Sequence, residues 1–158
     1  MIYIGSDHGG YKLKGKIKQF FDKYDYNYID LGDRTFDKND DYPDYAFAVA
    51  EKVGKEDDPS KKWAERAKGI LFCRSSGGMI IAANKVKNIR AVSVFDVKSA
   101  KHSREHNDAN IIALAADWIK EKEAEKILKI WLKTEFSNEE RHIRRLNKIK
   151  NYEKTKNP

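Results

Sequence analysis

Short apolar runs alternate along this chain with longer stretches in which apolar positions recur every three or four residues. Ile2 to Gly5 is a continuous apolar run of strand length, and Leu13, Ile17, Phe20, Phe21 and Tyr24 then follow with helical period. Tyr26 to Leu31 predicts a second strand closed by Gly32, and Asp33 to Asp41 is polar and loop-like. Pro43 suits the first turn of a helix, whose inner face continues through Ala46, Val49, Ala50 and Val53. Gly54 to Ala67 is charged and interrupted by Pro59, which predicts a loop or a frayed helix end. Further strands are predicted at Gly69 to Phe72, Arg90 to Phe95 and Asn110 to Leu114, with helices at Met79 to Asn84 and Val97 to His106. Lys120 to Lys133 carries the stripe Ala124, Ile127, Leu128, Trp131 and Leu132. Ser137 followed by Glu140 has capping-box spacing and would open a last helix with Ile143, Leu146 and Ile149 inward.

There is no internal repeat, so residues 1–150 are expected to form a single domain, followed by a basic tail at 151–158 that frays from about Tyr152. Strands alternating with helices predict an α/β fold with a parallel sheet covered on both faces. In such sheets ligands bind beyond the carboxyl ends of the strands, near the switch in strand order. The polar motifs here do follow strands: Ser6-Asp7-His8-Gly9-Gly10 the first, Cys73 to Gly78 the third, and Asp96 the fourth. One pocket could collect the first two.

Composition narrows the function classes. The chain has 158 residues, 40% of them hydrophobic, enough for one domain with a real core. A single cysteine excludes an intrachain disulfide framework and predicts a reducing, cytoplasmic location. The N-terminus has neither a basic n-region nor a long apolar h-region, so no secretory signal is expected. No run approaches the ~18 apolar residues of a membrane span, so no membrane partner is expected. The net charge of +7 points to an anionic partner, either nucleic acid or a small phosphorylated molecule. Much of the excess sits in Arg141, Arg144, Arg145, Lys148, Lys150, Lys154 and Lys156, a run that a plain solvated helix would also show.

Several clusters could carry chemistry. Asp7 offers an acceptor to sugar hydroxyls, and His8 a donor to phosphate or a proton shuttle, although an ordinary capped turn would look the same. The glycine spacing does not fit a dinucleotide fingerprint. Cys73 ends a strand and faces a helix start, where its thiol, with an ordinary pKa of ~8.5, could be lowered. It could serve there as base or nucleophile, with backbone N–H groups of the next turn holding an oxyanion, or it could be an inert core residue. His106-Asn107-Asp108-Ala109-Asn110 pairs a proton donor with amide groups, or is a loop with Asx-turns. Arg141 and Arg145 stand at i, i+4 on one helix face, two guanidinium forks suited to a phosphate dianion.

Taken together these motifs are more specific. Asp-His-Gly-Gly after the first strand, Asp-Tyr-Pro-Asp-Tyr-Ala at 41–46, the Cys73 to Lys85 segment, Ile-Arg-Ala-Val at 89–92, His-Asn-Asp-Ala-Asn at 106–110 and Arg-His-x-x-Arg at 141–145 occur in this order. The chain resembles, over residues 1–150, the family of type B ribose-5-phosphate isomerases and galactose-6-phosphate isomerase subunits. The resemblance implies a Rossmann-like three-layer α/β/α sandwich with a five-stranded, mostly parallel sheet. It implies isomerisation of aldose and ketose phosphates, ribose 5-phosphate and ribulose 5-phosphate first among them, through a cis-enediolate and without metal or other cofactor. It also implies a homodimer, or dimer of dimers, with sites at subunit contacts. Cys73 would be the base and His106 would help open the sugar ring. Asp7 and Asn107 would bind hydroxyls, and His8, Arg141 and Arg145 the phosphate. Backbone amides of the Arg74, Ser75, Ser76, Gly77, Gly78 turn would hold the enediolate, with Ser75 keeping the family's hydroxyl there. Nucleic acid is not expected as a partner, since no recognised binding module or aromatic stacking motif is present.

The pattern departs from the family in two places. Arg74 and Ser76 stand where glycines are usual, and a positive φ at either would be strained. Asp117 stands where the family commonly has an arginine of the phosphate site, and Arg74 is the candidate to replace that cation. The alternative expectation is a sugar-phosphate-binding protein with altered or lost turnover. The charged insert around residues 55–68, with Trp63, could cover the site, meet a second subunit, or merely link.

Overall fold

In a computed structural model, which describes residues 1–156, every strand pairing is parallel. The strands are β1 (Ile2–Ser6), β2 (Tyr28–Asp30), β3 (Lys68–Cys73), β4 (Ala91–Ser93) and β5 (Ile111–Ala115), in the order β2-β1-β3-β5-β4. The central β1, β3 and β5 are buried along their whole length, which is why they read as unbroken apolar runs. The edge strands β2 and β4 are shorter than the apolar pattern predicts and partly exposed, because each has a neighbour on one side only.

Helices α1 (Tyr11–Lys23), α4 (Val97–Asn107) and α5 (Glu121–Lys133) cover one face; α2 (Tyr42–Glu56) and α3 (Gly77–Ala83) cover the other. The predicted inner faces are the buried ones: Leu13, Ile17, Phe20 and Phe21 on α1, Ala46, Val49, Ala50 and Val53 on α2, and all five stripe residues on α5. None of these helices is long and apolar enough to cross a membrane.

Helix α6 (Glu140–Lys156) behaves differently from the prediction. Ile143 and Ile149 are exposed, Leu146 is only half-buried, and the buried residue of its first turns is His142. The Ser137–Glu140 capping box does not form among the described residues; the Ser137 hydroxyl instead lies 2.9 Å from His142 Nδ1. A capping box does open α4, where Asp96 Oδ1 accepts from Ser99 N–H and Ser99 Oγ accepts from Asp96 N–H. The segment expected to fray from Tyr152 is helical to Lys156, and both carboxylate oxygens of Glu153 accept from the Asn88 N–H. The rest of the predicted tail, 157–158, lies outside the described residues.

The charged insert is a plug at the amino edge of the sheet. Trp63 is 1% exposed, donates from Nε1 to the Trp131 carbonyl and meets the Trp131 ring edge-on at 5.0 Å. Burying two indoles contributes on the order of 4–6 kcal/mol each as an upper bound. The Arg104 guanidinium covers the Trp63 ring at 3.5 Å.

Candidate active site

The strand order switches between β1 and β3, and the loops leaving these two strands meet there. Gly10 touches the end of β3 so closely that a Cβ would lie 2.2 Å from the Phe72 carbonyl. This approach brings Asp7 and His8 beside the Cys73 turn. Asp7 is almost buried and accepts from the Gly10 N–H at 3.0 Å. Burial pushes its carboxyl up, the Gly10 hydrogen bond opposes, and the nearby Asp40 adds to the rise. His8 is gripped twice by Asp40, at 2.8 Å through its backbone N–H and at 2.5 Å through Nδ1. The Asp40 hydrogen bond raises the His8 pKa, which favours the imidazolium.

Cys73 closes β3 and is 5% exposed. Its sulfur accepts from the Ser76 N–H at 2.9 Å. Burial pushes the thiol up, and the backbone amides of Ser75, Ser76 and Met79 offset this only in part. The lowering expected from the helix start is therefore outweighed by desolvation. Ser76 has φ 64°, the left-handed conformation that a glycine adopts freely, while Arg74 is not strained in this way. Two hydrogen bonds hold Ser76 there: its hydroxyl donates to the Ser75 carbonyl at 2.6 Å and meets Ser93 Oγ at 2.8 Å. The serine thus keeps the turn a glycine would make. The Arg74 stem lies against Gly9, and its Nε donates to Asp117 at 3.1 Å. Asp117 therefore faces a cation rather than an unscreened site.

His106, Asn107, Arg141 and Arg145 are elsewhere. Helix α4 runs back along the sheet, so His106 and Asn107 stand just before β5, at the amino edge. The length of β3, about 16 Å at ~3.3 Å per residue, separates that edge from Cys73. Helix α6 docks on the amino edge as well, with the His142 ring 4.5 Å from the His106 ring. Arg141 and Arg145 are exposed on it, Arg141 donating to Glu139 at 2.7 Å. Beneath them Asp108 pairs with Arg66, Arg90 and Arg104. Burial pushes Asp108 up, but the Arg66 hydrogen bonds and the three guanidinium charges win, and its pKa is lowered. One chain thus brings together Asp7, His8, Cys73 and Arg74–Gly78, and keeps the other four predicted residues apart from them. Two cavities of about 300 Å³ lie between α6 and the amino edge, and beside Lys14 and Lys18; Cys73 lines neither.

Residues the sequence reading did not single out complete the carboxyl edge. Asp40 orients His8; Tyr42 packs on Gly78, where a Cβ would meet its ring at 2.6 Å; Ser93 anchors Ser76. Burial, then the carboxylates of Asp33 and Asp40, push the Tyr45 phenol up to about 12, so it stays neutral. The Asp-Tyr-Pro-Asp-Tyr motif flagged this neighbourhood, but nothing local tells which of several loop aspartates faces His8.

A ribose/galactose isomerase family profile matches residues 2–149. The ribose-5-phosphate isomerase B of Mycobacterium tuberculosis is 34% identical over 154 residues, 98% of this chain and 90% of that protein. Among solved structures, a ribose-5-phosphate isomerase B from Mycoplasma genitalium with bound ribulose-5-phosphate superposes with a TM-score of 0.87 at 41% identity, covering 97% of this chain and 95% of that one. The isomerase B of Clostridium thermocellum superposes at 0.86 with 43% identity, over 98% and 97% of the two chains. With the parallel sheet, the thiol at the end of its third strand and the Asp-His pair at the end of its first, the chain belongs to the ribose/galactose isomerase family.

Proposed function

We propose that the chain is a sugar-phosphate isomerase that interconverts ribose 5-phosphate and ribulose 5-phosphate, at sites each shared by two copies of the chain. The observation that carries this reading is the convergence of Cys73, Asp7 and an Asp40-bound His8 at the β1/β3 switch point of a member of this family. Ribulose-5-phosphate bound to the Mycoplasma relative supports the choice of substrate.

The Cys73 thiolate takes the proton from C2 of the open-chain aldose phosphate. The electron pair moves into the C1–C2 bond, and the carbonyl oxygen becomes an enediolate oxyanion. Returning the proton to C1 with transfer of the hydroxyl proton gives the ketose and regenerates the thiolate. Amides of the 74–78 turn face the developing charge; in the free chain the Ser76 N–H already points at sulfur, the acceptor it would share with the intermediate. A thiol pushed up by burial is a stronger base once ionised, which suits a weak carbon acid.

Asp7 binds a hydroxyl, and His8 with the free Nη groups of Arg74 meets the anionic end. His106 and Asn107 of a second copy open the ring and hold hydroxyls, and that copy's Arg141 and Arg145 close on the phosphate. The distance between the two edges, which no side chain spans, supports sharing. The exposed Phe95 and Trp118, whose rings lie 6.2 Å apart, add apolar surface fit for such an assembly. A binding protein without turnover has less support, because Ser76 preserves the left-handed turn on which the amide cradle depends.

The test is turnover of a panel of pentose and hexose phosphates beside Cys73→Ala. Ribose 5-phosphate is expected to be turned over, and Cys73→Ala to lower kcat by about 10²–10⁴-fold with KM little changed. Full activity in that variant removes the thiol from the role of base.

A further inference from the structure

At the amino edge, His102 and Glu105, to which the isomerisation gives no role, stand beside His106. His102, Glu105 and His106 project from one side of α4 at i, i+3 and i+4, and their donor atoms all lie within 4.8 Å of one another. The His102 and His106 rings are nearly parallel, 22° apart, with centroids at 4.7 Å. Two imidazoles on one tetrahedral zinc, at Zn–N of ~2.0 Å, put their donor nitrogens about 3.3 Å apart and their ring centres roughly 5 Å apart. The ring centres already have that spacing, and the donor atoms, all within 4.8 Å of one another, converge on one ion when the side chains rotate to turn the stacked rings toward a common point. His142 lies against the His106 ring, is itself buried, and is held through Nδ1 by Ser137, so His106 is kept from swinging away. Among the described residues the Glu105 carboxylate is paired only with the exposed Lys101 at 3.4 Å, a weak pair that a dication displaces readily.

We propose that His102, Glu105 and His106 form a binding site for a divalent transition metal of the zinc class, and that its occupancy inhibits the enzyme by taking His106 out of ring opening. Two imidazoles and one carboxylate are a ligand set that suits zinc, cobalt(II) and nickel and disfavours magnesium and calcium. Three protein ligands leave at least one coordination position open. The inhibitory consequence rests on the isomerase reading; the binding site does not.

The experiment therefore has two arms. Cobalt(II) is titrated into the full chain and into His102→Ala and Cys73→Ala, followed by the visible ligand-field absorption. One ion per chain is expected in the wild type and in Cys73→Ala, with affinity at least about tenfold weaker in His102→Ala. Equal binding in His102→Ala, or binding lost only in Cys73→Ala, overturns the site. In the second arm, zinc is expected to inhibit wild-type turnover reversibly, with recovery on adding a chelator, and to leave His102→Ala, whose basal activity is unchanged, resistant. Cobalt bound at His102 with turnover indifferent to zinc overturns the inhibition. Should the chain turn over none of the sugar phosphates, the cobalt arm still decides the site.

Discussion

The two edges of the sheet hold similar residue types in opposite states. At the carboxyl edge, Asp7, His8, Cys73 and Ser76 are tied to one another and to the backbone within a single chain. At the amino edge Asp108 is engaged with Arg66, Arg90 and Arg104 in holding the fold, whereas Asn107, Arg141 and Arg145 are exposed and His106 is half-buried. One edge holds its groups in place within the chain; the other leaves Asn107, Arg141 and Arg145 exposed. Burial and pairing, rather than residue type, separate a structural charge from a functional one.

Mixing two inactive variants tests this division most sharply. Cys73→Ala lacks the proposed base and His106→Ala the proposed ring-opening group, and each is expected to be nearly inactive alone. If sites are shared, random re-assortment of dimers restores about one quarter of wild-type activity, because half the dimers are hybrids with one intact site of two. No recovery after confirmed subunit exchange breaks the proposal of a shared site.

Asp108→Asn tests the structural half of the comparison. It leaves Arg66, Arg90 and Arg104 with one carboxylate fewer in a buried setting, and stability is expected to fall by about 3 kcal/mol, within the range for breaking buried pairs. Chemical denaturation reads the change. Asn tolerates the left-handed backbone at φ 45°, so strain does not confuse the result.

At the carboxyl edge, Arg74→Gly removes the cation that Asp117 holds beside His8. KM for the sugar phosphate is expected to rise about tenfold with kcat little changed, the size of one charge-assisted hydrogen bond. An unchanged KM excludes Arg74 from the anion site.

The smallest effect is expected from Asp40→Asn, and it depends on pH. In the wild type the Asp40 hydrogen bond raises the His8 pKa, so the imidazolium is fully present below the ordinary histidine value and is lost as pH rises through the raised one. Without that carboxylate the charge is lost at lower pH. KM is therefore expected to match the wild type near pH 6 and to exceed it a few-fold near pH 8. In both proteins kcat rises with pH towards the alkaline side, since Cys73 ionises above the ordinary thiol range.

What the chain order alone determined is the layered fold and the inventory of groups. Continuous apolar runs and period-3.6 burial are local properties, so the fully buried strands and the inner faces of α1, α2 and α5 could be read from the sequence pattern, as could the six motifs that carry the family. Tertiary structure decided which of those groups meet. A parallel strand sends its carboxyl end to one edge and its return helix to the other, so Cys73 and His106, both in strand-flanking motifs, finish at opposite edges of the sheet. It also decided that Ile143 and Ile149 face outward on α6, that Trp63 is a plug and not a lid, and that Asp40 rather than a neighbouring aspartate grips His8. Each of these outcomes depends on what lies across the sheet or beyond the chain, and sequence spacing carries no information about partners that are distant in sequence.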